Sequence, residues 1–240
     1  MEGVSPCEQC AAIIPCWNES ATIGPLVRRV RAQVAEVIVV DDGSTDMTAE
    51  LALTAGARVE RHDRRRGKGA ALHTGLERAW KLGSRWAITL DGDGQHSPEQ
   101  IPGFLQRAHL TGAMLVVGNR MTGAAAMPRL RRLVNRWMSR QLSRRTDRCL
   151  PDSQCGFRLL RLDAWAQLPI QSQHFEVESE TLLAFIAAGF RVEFLPVPVI
   201  PASRPSRIHV LPDTWRWFRW LRQSRQRTRP PTADVVPLPT

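Results

Sequence analysis

The chain has 240 residues, 43% of them hydrophobic, with 33 basic and 23 acidic side chains and a net charge of +10. That is enough to bury a substantial core, and the composition excludes a collagen-like or wholly disordered protein. The excess charge is local, because residues 128–148 and 204–229 each carry eight arginines against a single aspartate, Asp147 and Asp213 respectively; such segments suit a polyanion, whether nucleic acid, anionic lipid or a phosphorylated substrate.

In chain order, residues 11–15 form a short apolar run ended by proline, and residues 22–33 place Ile23, Leu26, Val27 and Val30 on one helical face. Residues 36–40 are a β-branched run suited to a strand buried on both faces, ending at Asp41-Asp42-Gly43-Ser44. A helix is expected over 45–55 with Ser44 or Thr45 as its N-cap. A third strand follows at 57–61, a polar loop at 63–67, and a helix at 70–81. Residues 86–90 are a fourth strand running into Asp91 and Asp93, followed by a helix over 98–108 and a strand over 114–118. Repeated strand–helix units of this kind predict an α/β fold with a mostly parallel, doubly wound sheet, whose ligands collect at the carboxyl ends of the strands, where these acids stand.

Beyond residue 120 the alternation breaks. Residues 130–143 read as a basic amphipathic helix with Leu130, Leu133, Val134, Trp137, Met138 and Leu142 on its apolar side. Strands are expected at 158–162 and 191–199, with a helix over 179–188 between them. Residues 214–226 interleave Trp and Arg at helical spacing, and the proline-rich residues 230–240 read as a disordered tail. No apolar run approaches the roughly 18–20 residues a membrane-spanning helix needs. The first residues contain Glu2 and Glu8 and no apolar signal core, so a cytoplasmic protein is expected. Cys7-x-x-Cys10 is half of a zinc pattern with no second pair or histidine pair to complete it.

Asp91-Gly92-Asp93-Gly94-Gln95-His96 is the sharpest chemical signal. Two carboxylates spaced i, i+2 after a buried strand can hold one Mg²⁺ or Mn²⁺ and leave positions open for phosphate oxygens, with Gln95 adding a carbonyl; the bland alternative is an acidic glycine-rich turn. Asp41, Asp42 and Asp46 form a second acidic turn on the same edge, able to accept hydrogen bonds from a base or ribose, or merely to cap a helix. Arg64-Arg65-Arg66-Gly67-Lys68-Gly69 combines cations, glycines and a following helix N-terminus, as a phosphate-binding loop does, and reads equally as a solvated basic turn.

Taken together and in order, IIPCWNE, VIVVDDGSTD, RGKGAAL, LDGDGQH, VVGNR, DSQCGFR and FEVE resemble a family 2 glycosyltransferase of the GT-A fold, of the dolichol or polyprenol phosphate mannosyltransferase type, over roughly residues 11–200. The resemblance implies that Pro15, Asn18, Glu19, Asp41, Asp42, Lys68 and Asp91 line the nucleotide. It implies that Asp91, Asp93 and Gln95 hold Mg²⁺ or Mn²⁺ against a diphosphate, and that Arg120 lies near the transferred group. Arg120, Arg131, Asn135 and Arg136 fall where this family holds a lipid phosphate; the family more often has Ser at the Asn135 position. Residues 1–203 are then the catalytic domain and 204–229 a basic helical appendage.

The resemblance further implies an inverting transfer of a sugar from a nucleoside diphosphate sugar to a lipid-linked acceptor. A phosphate monoester acceptor is largely ionised at neutral pH and needs cations rather than a base. A hydroxyl acceptor needs a carboxylate, for which Asp152, Glu176 and Glu178 are the candidates, with helix capping as the alternative for the two glutamates. Asp93, Arg120 and Glu178 are therefore the expected catalytic residues. The Trp/Arg segment can sit peripherally on a membrane, at its inner face, pack on the domain, or stack on bases; the lipid acceptor favours the first, without nucleic acid. The competing functions are transfer to a hydroxyl-bearing acceptor and a non-catalytic nucleotide-sugar or nucleic-acid binding module.

Overall fold

The structure, a computed structural model, describes residues 9–201 and 210–223. The apolar runs become seven strands: β1 (Cys10–Cys16), β2 (Glu36–Asp41), β3 (Arg58–Arg61), β4 (Trp86–Thr89), β5 (Leu115–Asn119), β6 (Arg158–Arg161) and β7 (Val192–Pro196). They form one sheet in the order β3-β2-β1-β4-β6-β5-β7, parallel except for β6, which runs against both β4 and β5. The continuous apolar sequences of β1, β2 and β5 follow from burial on both faces: Ile13, Ile14, Ile38, Val39, Val40, Leu115 and Val116 are fully enclosed. Register pairs Pro15 with Val40 and Cys16 with Asp41, so the residues after β1, β2 and β4 emerge side by side on one edge.

The sheet is flanked by α1 (Ile23–Arg31), α2 (Thr48–Thr54), α3 (Lys68–Lys81), α4 (Ile101–Thr111), α5 (Arg129–Thr146), the single turn α6 (Leu162–Trp165), α7 (Val177–Ala187) and α8 (Val210–Gln223). In α1 the expected stripe of Ile23, Leu26, Val27 and Val30 is buried. The expected cap of α2 is not formed. Met47 occupies that position, because the Ser44 N–H is drawn to Asp41 Oδ1 (2.9 Å) while its hydroxyl accepts from the Asn18 N–H (2.8 Å). Helix α3 starts two residues earlier than expected, at Lys68. Gly67 precedes it with φ 106°, and a Cβ there would lie 2.3 Å from His174 Nδ1, so the loop before Lys68 closes only around glycine.

The long basic helix departs most from its expected packing. Met138 and Leu142 are buried as anticipated, but Leu130 and Leu133 are 59% and 61% exposed. Helix α8 also splits its side chains: Trp217 (2% exposed) and Leu221 pack onto the domain, whereas Trp215 and Phe218 face outward. Cys10 is a buried core residue of β1, while Cys7, most of the basic 204–229 flanks and the expected disordered tail at 230–240 lie outside the described residues. Among the described residues no helix is long and apolar enough to cross a membrane.

Candidate active site

At the end of the carboxyl edge formed after β1 and β2, the first two motifs are clipped to each other. Asn18, in a left-handed conformation (φ 53°), accepts the Thr45 N–H on Oδ1 (2.8 Å), and the Glu19 N–H reaches Thr48 Oγ1 (2.8 Å). Asp46 accepts from the Ser20 and Thr48 N–H groups (3.2 and 3.1 Å). Buried Asp41 caps the turn through Ser44 and sits 3.2 Å from the Arg61 guanidinium. Asp42 is the most heavily engaged: Oδ1 meets the Arg66 N–H and His62 Nδ1, and Oδ2 the Gly67 N–H, all at 2.8 Å. The basic loop is thereby held rather than freely solvated, and Arg65 lies 3.8 Å over the Trp17 ring beside Pro15. In this arrangement Asp42 shapes the loop that precedes Lys68.

Lys68 then reaches to the centre of the edge. Its Nζ lies 2.6 Å from Asp91 Oδ1 and 2.6 Å from Glu178 Oε1, an ammonium shared by two carboxylates. Burial alone would lower the Lys68 pKa, but Asp91 and Glu178 outweigh it and raise it above the ordinary lysine value. Burial likewise opposes ionisation of Asp91, yet Lys68 and His96 (3.4 Å from Oδ2) hold its carboxyl well below the usual range. Asp93 goes the other way, raised by burial and by the neighbouring Asp91 charge. It accepts from the Gln95 N–H and side-chain amide (3.0 and 2.5 Å).

Asp91 and Asp93 are hard oxygen donors side by side, and Asp91 already answers a cationic group, so the pair fits Mg²⁺ or Mn²⁺. Among the described residues no group of three or more His, Cys, Asp or Glu is gathered to hold a metal ion, so the two aspartates stand as a pair. Gln95 does not offer its carbonyl there: Oε1 turns instead to Arg131 at 3.5 Å. Gly156 makes the crowding possible, since a Cβ would stand 2.8 Å from Asp91 Oδ1 and 2.9 Å from Lys68 Nζ.

On the far side, Arg120, just after β5, is locked to Asp152. Its Nε and Nη2 donate to the two carboxylate oxygens at 2.8 and 2.9 Å, and its backbone N–H adds a third bond at 3.1 Å. Burial disfavours both charges, but each partner reverses this, raising Arg120 and lowering Asp152. Asp152 is completely enclosed with both oxygens bonded, so it is not placed to take a proton from an acceptor. Of the three candidate bases, Glu176 and Glu178 line the cleft, and neither caps a helix through its side chain. Glu178 Oε2 is buried with no hydrogen-bond partner among the described residues.

Helix α5 contributes Arg131, Asn135 and, from its apolar side, Val134 and Met138 to the same cleft; α8 adds Arg216 and Trp217, and Phe175 faces Lys68. Arg136 is exposed and outside the cleft lining, because one residue beyond Asn135 it is turned about 100° around α5. Burial and the Arg120 charge both lower Arg131, partly offset by Asp91, Asp93 and Asp152. The sequence reading missed three groups. His96 packs its ring on Phe157 (5.1 Å) while addressing Asp91, and Arg158 is buried and bonds the Cys155, Ser153 and Glu178 carbonyls. Trp217 donates its indole N–H to Ser179 Oγ (2.8 Å). His96 and Arg158 lay within quoted motifs; nothing in the local sequence distinguished Trp217 from Trp215.

The family model for glycosyl transferase family 2 matches residues 11–167. A UDP-N-acetylglucosamine–dolichyl-phosphate N-acetylglucosaminyltransferase of Methanococcus voltae is 28% identical over 78% of this chain and 83% of its own length. An undecaprenyl-phosphate 4-deoxy-4-formamido-L-arabinose transferase of Pseudomonas aeruginosa is 28% identical over 83% of this chain, which spans only 59% of that longer protein. In structure, glucosyl-3-phosphoglycerate synthase of Mycobacterium tuberculosis, crystallised with Mn²⁺, UDP-glucose and phosphoglyceric acid, superposes with a TM-score of 0.74 at 25% identity, covering 94% of this chain and 82% of that one. The seven-stranded sheet with its antiparallel sixth strand is thus the GT-A fold, with relatives that act on polyprenyl phosphates, and the chain belongs to glycosyltransferase family 2.

Proposed function

We propose that the protein transfers a hexose from a nucleoside diphosphate sugar to a polyprenyl phosphate in one inverting displacement, at the inner face of the cell membrane. The observation that carries this reading is Arg131. It is a largely enclosed guanidinium whose hydrogen bond among the described residues is a long one (3.5 Å), and it is pressed by the Arg120 charge. An incoming phosphate dianion relieves that burial and repulsion. The wall next to it is apolar, formed by Val134, Met138, Phe175 and Trp217, which suits the first prenyl unit behind the phosphate.

On the donor side, Pro15, Asn18, Glu19, Asp41 and the loop fixed by Asp42 receive the nucleoside, and Lys68 lies ready to meet the diphosphate. Asp91 and Asp93 would hold Mg²⁺ or Mn²⁺, whose charge offsets that of the departing diphosphate. Arg120, aligned by Asp152, and Arg131 hold the acceptor phosphate with one oxygen facing the anomeric carbon. That oxygen forms the new C–O bond as the bond to the diphosphate breaks, and Lys68 meets the negative charge released. No proton has to be removed from a phosphate dianion, so Glu178 acts through its ion pair with Lys68. A second reading, transfer to a hydroxyl with Glu178 as base, is favoured by its unpartnered buried Oε2 and by the phosphoglyceric acid of the structural neighbour.

The test is nucleotide diphosphate release by the purified protein from UDP-, GDP- and dTDP-sugars, with and without Mn²⁺, on adding a prenyl phosphate. Metal-dependent release that requires the prenyl phosphate supports the proposal. Release with a prenol alone, abolished in Glu178→Gln, supports the second reading instead. If Asp93→Ala leaves turnover unchanged, the site is wrongly placed.

A further inference from the structure

We propose that the outward faces of α5 and α8 together form a docking surface for an anionic bilayer, laid beside the mouth of the cleft. Half of the large hydrophobic side chains that are exposed among the described residues lie on these two helices: Leu130 (59%), Leu133 (61%), Trp137 (38%), Trp215 (64%) and Phe218 (41%). Their spacing is regular. On α5, Leu130, Leu133 and Trp137 follow i, i+3, i+7, and on α8 the exposed Trp215, Phe218, Arg219 and Arg222 follow i, i+3, i+4, i+7. These are complete outward stripes, separate from the inward stripes of Arg131, Val134, Asn135 and Met138 on α5 and of Trp217 and Leu221 on α8.

The two stripes meet. Trp137 lies edge-on to buried Trp217 (5.5 Å between centroids) and 6.5 Å from exposed Phe218, so it joins the cleft wall to the outer surface. The surrounding charge is predominantly basic: Arg129, Arg136, Arg140, Arg219 and Arg222 are exposed, α5 contains no acidic residue, and the sequence of α8 contains one, Asp213. Arg219 and Arg222 lie over the Trp215 and Phe218 rings at 5.1 and 5.4 Å, a pairing that keeps guanidinium and ring at the same depth.

This composition selects the occupant. Leucines amid aromatic rings and arginines match the acyl–headgroup boundary of an anionic membrane, where apolar side chains enter the lipid and guanidinium groups pair with phosphates. A second copy of the chain would set arginine against arginine, and nucleic acid has no use for protruding leucines. The surface rests on the proposed function only for what it serves: it brings the cleft to the depth at which a lipid-linked phosphate is presented. Arg136, which the sequence reading assigned to the acceptor phosphate, belongs to this outer face.

The full chain is sedimented with vesicles of equal parts phosphatidylcholine and phosphatidylglycerol, and with phosphatidylcholine alone. Binding to the mixed vesicles and much weaker binding to the neutral ones is expected. Leu133→Glu/Phe218→Glu and, separately, Arg219→Gln/Arg222→Gln each weaken binding to mixed vesicles by roughly tenfold or more. These positions are exposed, so both variants keep the wild-type thermal transition, and both retain wild-type turnover of a short, water-soluble prenyl phosphate. The proposal is overturned by absence of binding to mixed vesicles, by equal binding to neutral ones, or by undiminished binding of Leu133→Glu/Phe218→Glu. It is also overturned if those two substitutions dissolve a dimer that binds no vesicles, or if a DNA duplex binds where vesicles do not. Vesicle binding without turnover of any prenyl phosphate would remove the proposed function and leave this surface supported; turnover without vesicle binding would do the reverse.

Discussion

Replacing Asp152 with alanine removes the acceptor for three N–H bonds of Arg120, two from its guanidinium at 2.8 and 2.9 Å and one from its backbone at 3.1 Å, together with the Gln154 N–H at 3.2 Å. Because Asp152 is completely enclosed, the arginine is left charged and unpaired in the interior. Breaking a buried pair in this way costs about 3–5 kcal/mol. For a domain of this length each kcal/mol lowers the melting temperature by about 2–4 °C, so a fall of about 6–20 °C is expected in a thermal scan at neutral pH. The sign with pH follows from the lowered carboxyl of Asp152. Its contribution is fully present above the unfolded carboxylate pKa of about 3.9 and is lost as pH falls through the lower folded value, so the gap between wild type and variant narrows on acidification. Asp152→Asn, which keeps shape and loses charge, should raise the acceptor KM more than it lowers kcat, as expected of a residue that aligns Arg120. An Asp152→Ala variant within about 1 kcal/mol of wild type at neutral pH would show that the pair is not stabilising, and an Asp152→Asn protein that is fully stable with kcat abolished and KM unchanged would restore Asp152 as a base.

Lys68→Met leaves Asp91 and Glu178 facing each other without their shared ammonium, and should destabilise the fold by about 3–5 kcal/mol in urea titration. Added Mn²⁺ should recover more melting temperature in this variant than in wild type, because a divalent cation replaces the missing charge. Gly156→Ala pushes on the tips of Asp91 and Lys68, not on backbone, so turnover should fall at least about tenfold while the melting temperature moves by only a few degrees. Trp217→Ala removes a side chain 2% exposed and its bond to Ser179, and should cost about 3–5 kcal/mol by denaturant titration.

The centre of the sheet was legible because β1, β2, β4 and β5 are short, largely apolar runs buried on both faces, two of which, β2 and β4, lead directly into acids. Asp41, Asp42, Asp91 and Asp93 all emerge on the edge expected of them. What stayed hidden depends on contacts between distant residues. Ser44 is not a cap because Asn18, 26 positions away, claims its hydroxyl. Lys68 belongs to the centre of the site only because Asp91 and Glu178 converge on it from β4 and α7. Helical periodicity placed Leu130, Leu133, Val134, Trp137, Met138 and Leu142 on one side of α5, but that side is wider than the groove it enters, and the leucines remain outside. Trp215 and Trp217 are equivalent in local sequence, and only the direction in which α8 docks separates the ring bonded to Ser179 from the one left on the surface.

On the proposed function, the cleft between Lys68 and Arg131 delivers a sugar to a phosphate carried on an apolar chain. The most direct test of this offers one preparation, with Mn²⁺ and its preferred nucleotide sugar, three acceptors in parallel: a short prenyl phosphate, the corresponding prenol, and phosphoglyceric acid, with products identified by mass spectrometry. A glycosyl phosphate ester is expected from the prenyl phosphate alone, and its loss in Arg131→Ala; a glycosylated prenol or phosphoglycerate formed as readily would overturn the proposed acceptor.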